Sequence, residues 1–215
     1  MDWEVKLASA KAEHADRLGR GPGAGKRPDL QLAGIGNASW AAGLAALMLG
    51  RDDEAQAHLM RAAEEYRESH AIAPAGAWGR PLGALRCRLI AGDADGARRD
   101  AEWTLVEGAV DAESPIGRYA ATLALLTLGR DGEAALLAEG LRGREDFPDD
   151  VASALVDLAD ADAPAYDQAV RSVLRSFETR DQYLEDVPVA DTVLVLQALA
   201  AERGAAAALG SPQLP

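Results

Sequence analysis

The stretch LMLGRDDEA, residues 47–55, returns almost letter for letter as LTLGRDGEA at 126–134. Its skeleton also appears between the two: Gly50 is followed five residues later by Ala55, Gly92 by Ala97 and Gly129 by Ala134. Apolar residues at helical spacing precede each glycine (Leu44, Leu47 and Met48; Leu85, Leu89 and Ile90; Leu123, Leu125, Leu126 and Leu128), and another helical segment follows each alanine. Glycine takes the left-handed conformation that ends a helix. Asp52, Asp93 or Asp131 is then expected to accept hydrogen bonds from the free N–H groups of the next helix. The acids Asp53, Glu54, Asp95 and Glu133 suit the positive end of that helix. The small alanine lets two helices approach closely, so the phrase encodes a corner between antiparallel helices.

Ala55 to Ala97 is 42 residues, Ala97 to Ala134 is 37, and Ala134 to Ala169 is 35. The last unit carries DADAPAYDQA at its corner, with Pro164 in place of glycine. Units of this length, each a helical hairpin, predict a stacked array. The corner residues resemble those of the tetratricopeptide repeat, in which glycine, an acidic pair and a buried alanine fall at this spacing; the resemblance covers roughly residues 37–180. Ser39, Pro81 and Arg118 stand where that repeat has aromatic residues in its first helix, which makes this a degenerate relative. The fold implied is all-α: a right-handed stack of antiparallel hairpins, an α-solenoid of about ten helices without a β-sheet.

One continuous domain is expected over 1–215. Residues 1–36 hold an amphipathic helix (Trp3, Leu7, Ala10, His14 and Leu18 share a face) and the glycine-rich loop GRGPGAGKRP at 19–28. Helices follow near 37–50, 53–71, 77–91, 94–108, 115–129, 131–143, 148–159 and 164–179. A capping helix, 188–204 within the segment 181–204, is expected to pack on one neighbour, and a loose tail covers 205–215.

Thirty-five acidic residues against 22 basic ones leave a formal charge of −13. Such a surface is repelled by nucleic-acid backbones and by anionic membranes. Only Lys6, Lys11 and Lys26 are lysines. An acid-rich, lysine-poor, alanine-rich chain is similar to proteins of salt-loving microbes, where concentrated salt screens self-repulsion. Cys87 is the single cysteine, which excludes an intrachain disulfide and fits a reducing compartment. No signal-type apolar core opens the chain, and the apolar runs at 41–50 and 119–129 are too short to span a bilayer. A cytoplasmic location is expected.

Several stretches imitate chemistry. GPGAGKR, 21–27, lacks the glycine of a phosphate loop at position 20, where Arg20 stands, and the hydroxyl that should follow Lys26. Glu54 and His58, four residues apart, share a helix face, but the Glu-x-x-His pairs on two helices that a carboxylate di-metal site needs do not occur in the sequence, and the spacing of His14, His58 and His70 does not suggest zinc. Cys87, between two arginines, reads as a small packing residue rather than a nucleophile. No metal or cofactor is expected.

The function expected is non-catalytic: binding of a protein or peptide, with a basic partner favoured by the charge. The tetratricopeptide resemblance implies that the first helix of each hairpin lines a concave groove. Trp78, Arg80, Arg86, Arg118 and Tyr119 are the groove candidates, since arginine and large aromatics dominate binding hot spots. The stretch SFETRDQYLEDVP, 176–188, adds Arg180 and Tyr183, either to lock the last hairpin or to form a recognition corner. A second class is an acidic helical immunity protein that neutralises a basic toxin, which the ending LVLQALAAERG faintly resembles. An enzyme, the third class, requires acids such as Glu64, Glu65 and Asp191 to converge in a cleft.

Overall fold

The computed structural model describes residues 1–21 and 27–215. The core of the glycine-rich loop, including most of GPGAGKR, lies outside the described residues. Among the described residues there are ten α-helices and no strand: α1 (Trp3–Arg20), α2 (Pro28–Leu47), α3 (Asp52–Ala71), α4 (Gly79–Ile90), α5 (Ala94–Val106), α6 (Pro115–Thr127), α7 (Asp131–Glu139), α8 (Asp149–Ala159), α9 (Ala163–Glu178) and α10 (Asp191–Glu202). Short 3₁₀ turns cover Ala109–Asp111 and Leu184–Asp186. None of these helices is long and apolar enough to cross a membrane.

The corners form as the repeated phrase implies. Gly50, Gly92 and Gly129 are left-handed, with φ of +68°, +69° and +71°. The N–H groups of Arg51, Asp93 and Arg130 then donate to the carbonyls of Ala46, Arg88 and Leu125 at 3.0, 3.0 and 2.9 Å, which satisfies a carbonyl of each ending helix. The fourth corner lies elsewhere than expected. Ala161, with φ of +57°, takes the glycine position, and Asp162 N–H donates to Asp157 O at 2.9 Å. Five residues on stands Tyr166, fully buried, in the place of the corner alanine. Ala169 is therefore not the equivalent of Ala134: the last unit is shorter, and its left-handed residue has a side chain.

The expected aspartate caps form only in part. Asp93 accepts from Gly96 N–H at 2.9 Å and Asp162 from Ala165 N–H at 3.0 Å. Asp52 and Asp131 are instead the first residues of their helices, behind Arg51 and Arg130. Asp131 is turned to Arg203, which donates to it at 2.6 Å.

Two further boundaries are corrected. Helix α2 begins at Pro28, not near residue 37, and runs through Gly34 and Gly36. Pro28 suits a first helical turn, and Gly36 is there for space: a Cβ on it would lie 3.1 Å from the Tyr66 ring. The 205–215 segment is not loose. Alternate residues Ala205, Ala207 and Leu209 pack on the core, Ala190 N–H donates to Gln213 O at 3.0 Å, and Gln197 Nε2 donates to Ala207 O at 2.6 Å.

Each helix from α1 to α9 packs on the next in the chain, and α4 also meets α6. Helix α10 touches α8 and α9 but also returns to α4, so it does more than cover one neighbour. Leu85 of α4, Leu123 of α6, Leu155 of α8 and Leu196 of α10 share one buried core. The second helices α5, α7 and α9 add Ala101, Ala138 and Val170 to it. Leu85, Leu123, Leu155 and Leu196 are each fully buried, so the faces on which they lie are core rather than groove.

A candidate binding cleft beneath the 177–192 segment

Between α9 and α10 the chain passes over α1 and α2, and charged side chains hold it there. Glu185 accepts two parallel hydrogen bonds from Arg17 of α1, Nη1 to Oε1 and Nη2 to Oε2, both 2.9 Å. Such bidentate pairs fix geometry as well as charge. Lys6 Nζ donates to Asp186 O at 2.7 Å. Glu185 and Asp186 both adopt left-handed backbone, φ +53° and +55°, a conformation that costs a side-chain-bearing residue on the order of 1 kcal/mol. Two such residues in succession persist only where surrounding contacts hold them.

Beneath this segment lie two neighbouring cavities, of 210 and 120 Å³. Trp40, Arg86, Leu184 and Asp191 line both of them. Phe177, Arg180 and Tyr183 complete the larger, and Tyr66 stands in the smaller. The chain has only four tryptophans, four tyrosines and two phenylalanines; Trp40, Tyr66, Phe177 and Tyr183 gather here.

At the floor Arg86 of α4 donates to Asp191 at the start of α10, and more weakly to Thr192 Oγ1 at 3.4 Å. The Arg86 and Asp191 side chains are 20% and 10% exposed. Burial opposes the charge of Arg86, and the Asp191 carboxylate, with smaller contributions from Tyr119, Cys87 and Tyr66, offsets it so that the pKa lies above the usual arginine value. Arg86 Nε and the Tyr119 hydroxyl are buried without a hydrogen-bond partner among the described residues, although Tyr119 lies near Thr192 and within electrostatic reach of Arg86. Burial also raises the Tyr119 pKa, so this hydroxyl keeps its proton. Cys87, next to Arg86, is pushed up to about 12 by burial and remains a thiol. At the rim Arg180 stacks on Phe177, its guanidinium carbon 3.6 Å from the ring centroid. Tyr183 donates to Phe177 O, and Gln213 Nε2 donates to the Tyr183 hydroxyl at 2.8 Å.

Of the seven residues expected to bind a partner, Arg86, Arg180 and Tyr183 thus converge on one cleft, with Tyr119 behind them. Tyr119 lines neither cavity; its ring packs edge-on against Phe147, centroids 5.4 Å apart. Trp78, Arg80 and Arg118 stand apart. Trp78 packs where a Cβ on Gly117 would meet its ring at 2.8 Å. Arg80 donates to Asp29 at 3.1 Å and to Ser69 Oγ at 3.3 Å, joining α2, α3 and α4. Arg118 donates to Ala112 O at 3.3 Å and lies across Gly140. Each of the three ties neighbouring elements together.

The acids that an enzyme would bring together are engaged separately. Glu64 receives Arg88, Glu65 lies 2.7 Å from His14, and Asp191 holds Arg86. Among the described residues no group of three or more His, Cys, Asp or Glu side chains is placed to hold a metal ion. The cleft can stack an apolar or aromatic group, donate hydrogen bonds from two guanidinium groups and exclude water from its floor. Trp40 and Leu184 were not among the expected residues. Trp40 had a signal, being the one aromatic side chain of α2, a helix otherwise built largely of Gly, Ala and Leu; Leu184 had none. No family model matches the chain, and neither a curated protein nor a solved structure is significantly similar to it.

Proposed function

We propose that the protein is a non-catalytic helical-repeat scaffold, tetratricopeptide-like in its corners and right-handed in its stacking, that binds a segment of another protein. The observation that carries this reading is the convergence of Trp40, Phe177, Arg180 and Tyr183 above the Arg86–Asp191 pair. Large aromatics and arginine around a desolvated centre are the usual composition of an interface hot spot, and a cleft of 210 Å³ takes a side chain or two rather than a whole cofactor. A charge of −13 steers a partner whose wider surface is basic, while the contact itself is made at this corner. In the cytoplasm, the location proposed from the sequence, a single buried thiol would stay reduced.

Selection of a displayed peptide library on the immobilised protein tests the reading. Enriched peptides should bind the wild-type chain and lose at least about tenfold in affinity to both Trp40→Ala and Arg180→Ala, the effect of losing about 1.4 kcal/mol at a hot spot. Peptides whose binding ignores both substitutions would place the interface elsewhere.

A further inference from the structure

Leu184 is a large aliphatic side chain left 54% exposed in the middle of the cleft, with cavities on both sides of it. A third, of 330 Å³, opens on the α1 side of the same segment and is lined by Lys6, Arg17, Glu185 and Asp186. The segment is therefore underfilled wherever it touches the body. Its backbone hydrogen bonds are local: Asp186 N–H donates to Tyr183 O and Val187 N–H to Leu184 O, each at 3.2 Å. Two consecutive residues are in left-handed conformation. Immediately beyond, the packing changes: Val187 and Val189 are 2% and 1% exposed and belong to the core that contains Trp40. Thr179 closes α9 on the other side. Residues 184–186 form a short span between two firm anchors, Tyr183, whose hydroxyl donates to Phe177 O and accepts from Gln213 Nε2, and Val187; the span is held by one aliphatic side chain, one bidentate carboxylate and one lysine contact.

We propose that residues 184–186 are a displaceable strap that occupies in cis the place of a partner segment carrying a large aliphatic residue followed by a carboxylate. Leu184 stands for the aliphatic residue between Trp40 and Arg86, and Glu185 for the carboxylate that Arg17 receives. Charge complementarity selects this chemistry: Lys6, Arg17, Arg86 and Arg180 border the strap, and of the carboxylates around it Asp191 is already held by Arg86 and Glu13 by Arg17. A partner segment without the left-handed pair, and free to fill the flanking cavities, makes the same contacts with less backbone strain. Displacement needs only the 184–186 span to swing out while Tyr183 keeps its bonds to Phe177 and Gln213 and Val187 and Val189 stay buried. This inference rests on the peptide-binding reading of the same cleft and adds to it the chemistry of the partner and a reason for weak binding by the resting protein.

A fluorescein-labelled peptide of the strap itself, RDQYLEDVP (residues 180–188), is the probe, read by fluorescence polarisation against the full chain. A tethered segment competes at an effective concentration in the millimolar range, so the wild-type protein should bind the probe weakly. The full-length Leu184→Ala/Glu185→Ala variant should bind it at least tenfold more tightly, and a probe with alanine at the same two positions should bind neither protein. Equal affinity for both proteins, no binding to the folded double variant, or indifference to the alanines in the probe would overturn the proposal. Hydrogen exchange on the wild-type chain gives a readout independent of the variant's folding. Amides 184–186 should exchange at least tenfold faster than those of 193–200 in α10, and saturating strap probe should accelerate them further; protection equal to that of α10 would overturn the strap. If the strap probe fails while library-selected peptides bind through Trp40 and Arg180, the strap is wrong and the peptide-binding reading stands. If the strap probe binds the double variant and no library peptide depends on Trp40, the cleft serves the chain's own segment alone and the binding reading fails.

Discussion

Replacing Ala161 with glycine should make the protein more stable, although it removes a methyl group. Ala161 sits at the left-handed position of the fourth corner, φ +57°, where Gly50, Gly92 and Gly129 stand in the others. Steric contact between Cβ and the following carbonyl costs an alanine there about 1–2 kcal/mol. Ala161 is exposed, so no burial is lost with the methyl. Against the gain stands the greater freedom of glycine in the unfolded chain, about 0.4–1 kcal/mol. The net is about 0.5–1 kcal/mol in favour of Ala161→Gly, which raises the melting midpoint of a chain of this size by roughly 1–4 °C. Gly129→Ala is the mirror experiment. A Cβ at Gly129 would meet nothing within 4 Å, so the penalty is one of backbone alone and should lower the midpoint by a similar amount. Melts followed by far-ultraviolet circular dichroism, with urea titrations for free energies, measure both. A midpoint that falls with Ala161→Gly, or that is unmoved by Gly129→Ala, would refute the equivalence of the two corners.

Asp191→Ala should leave the Arg86 guanidinium buried and unpaired and cost about 3 kcal/mol in urea unfolding, whereas Arg86→Met/Asp191→Leu should recover most of that loss; a cost below about 1 kcal/mol for the single change would mean that water reaches the pair. His58 is held below the usual imidazole value of 6.5 first by burial and then by Arg61 and Lys11. The unfolded chain therefore takes up the proton first, and the contribution of His58 to stability is present above about pH 6.5 and lost as pH falls through the lower folded value. Melts from pH 7.5 to 5 should show a downward slope that His58→Gln reduces; an unchanged slope would assign it to other groups. Raising potassium chloride should lift the melting midpoint steeply while charge screening develops, and a salt-adapted surface should continue to gain beyond about 1 M, where the screening length is about 3 Å; a plateau below that concentration would return the acidity to partner steering.

The helical class was legible because its signals are local. The apolar rhythm before Gly50, Gly92 and Gly129, and the left-handed turn at each, need no knowledge of distant residues, and the structure repeats the same hydrogen bond at all three. The fourth corner was misplaced by the same logic. Alanine has no intrinsic call on left-handed backbone, so the sequence around Ala161 carried no sign of it, and Ala169 matched the pattern of small residues better. Helix α2 was shortened for the opposite reason. Gly34 and Gly36 look like breakers, yet Gly36 is required by the Tyr66 ring that crosses from α3, a contact 30 residues away in sequence.

The cleft was harder to read because it is made by closure. Arg86 and Asp191 are 105 positions apart, and Arg17 and Glu185 are 168 apart; no spacing rule connects such pairs. An array read as open assigns Arg86, Arg118 and Tyr119 to a common groove. Once α10 turns back onto α4, that face becomes core: Tyr119 is buried, Arg86 needs a counter-charge, and Asp191 at the head of α10 provides it. The proposed recognition surface then lies not on the helices but at the segment that bridges them, where Arg180 and Tyr183 remain within reach of solvent. The stretch 176–188 drew notice in the sequence because polar and aromatic residues crowd a connection that folding alone would not require. The return of α10 onto α4 accounts for them: the same turn of chain that brings α10 back must cross the mouth of the cleft, and it crosses with Leu184 and Glu185, the two residues that the strap proposal sets in a partner's place.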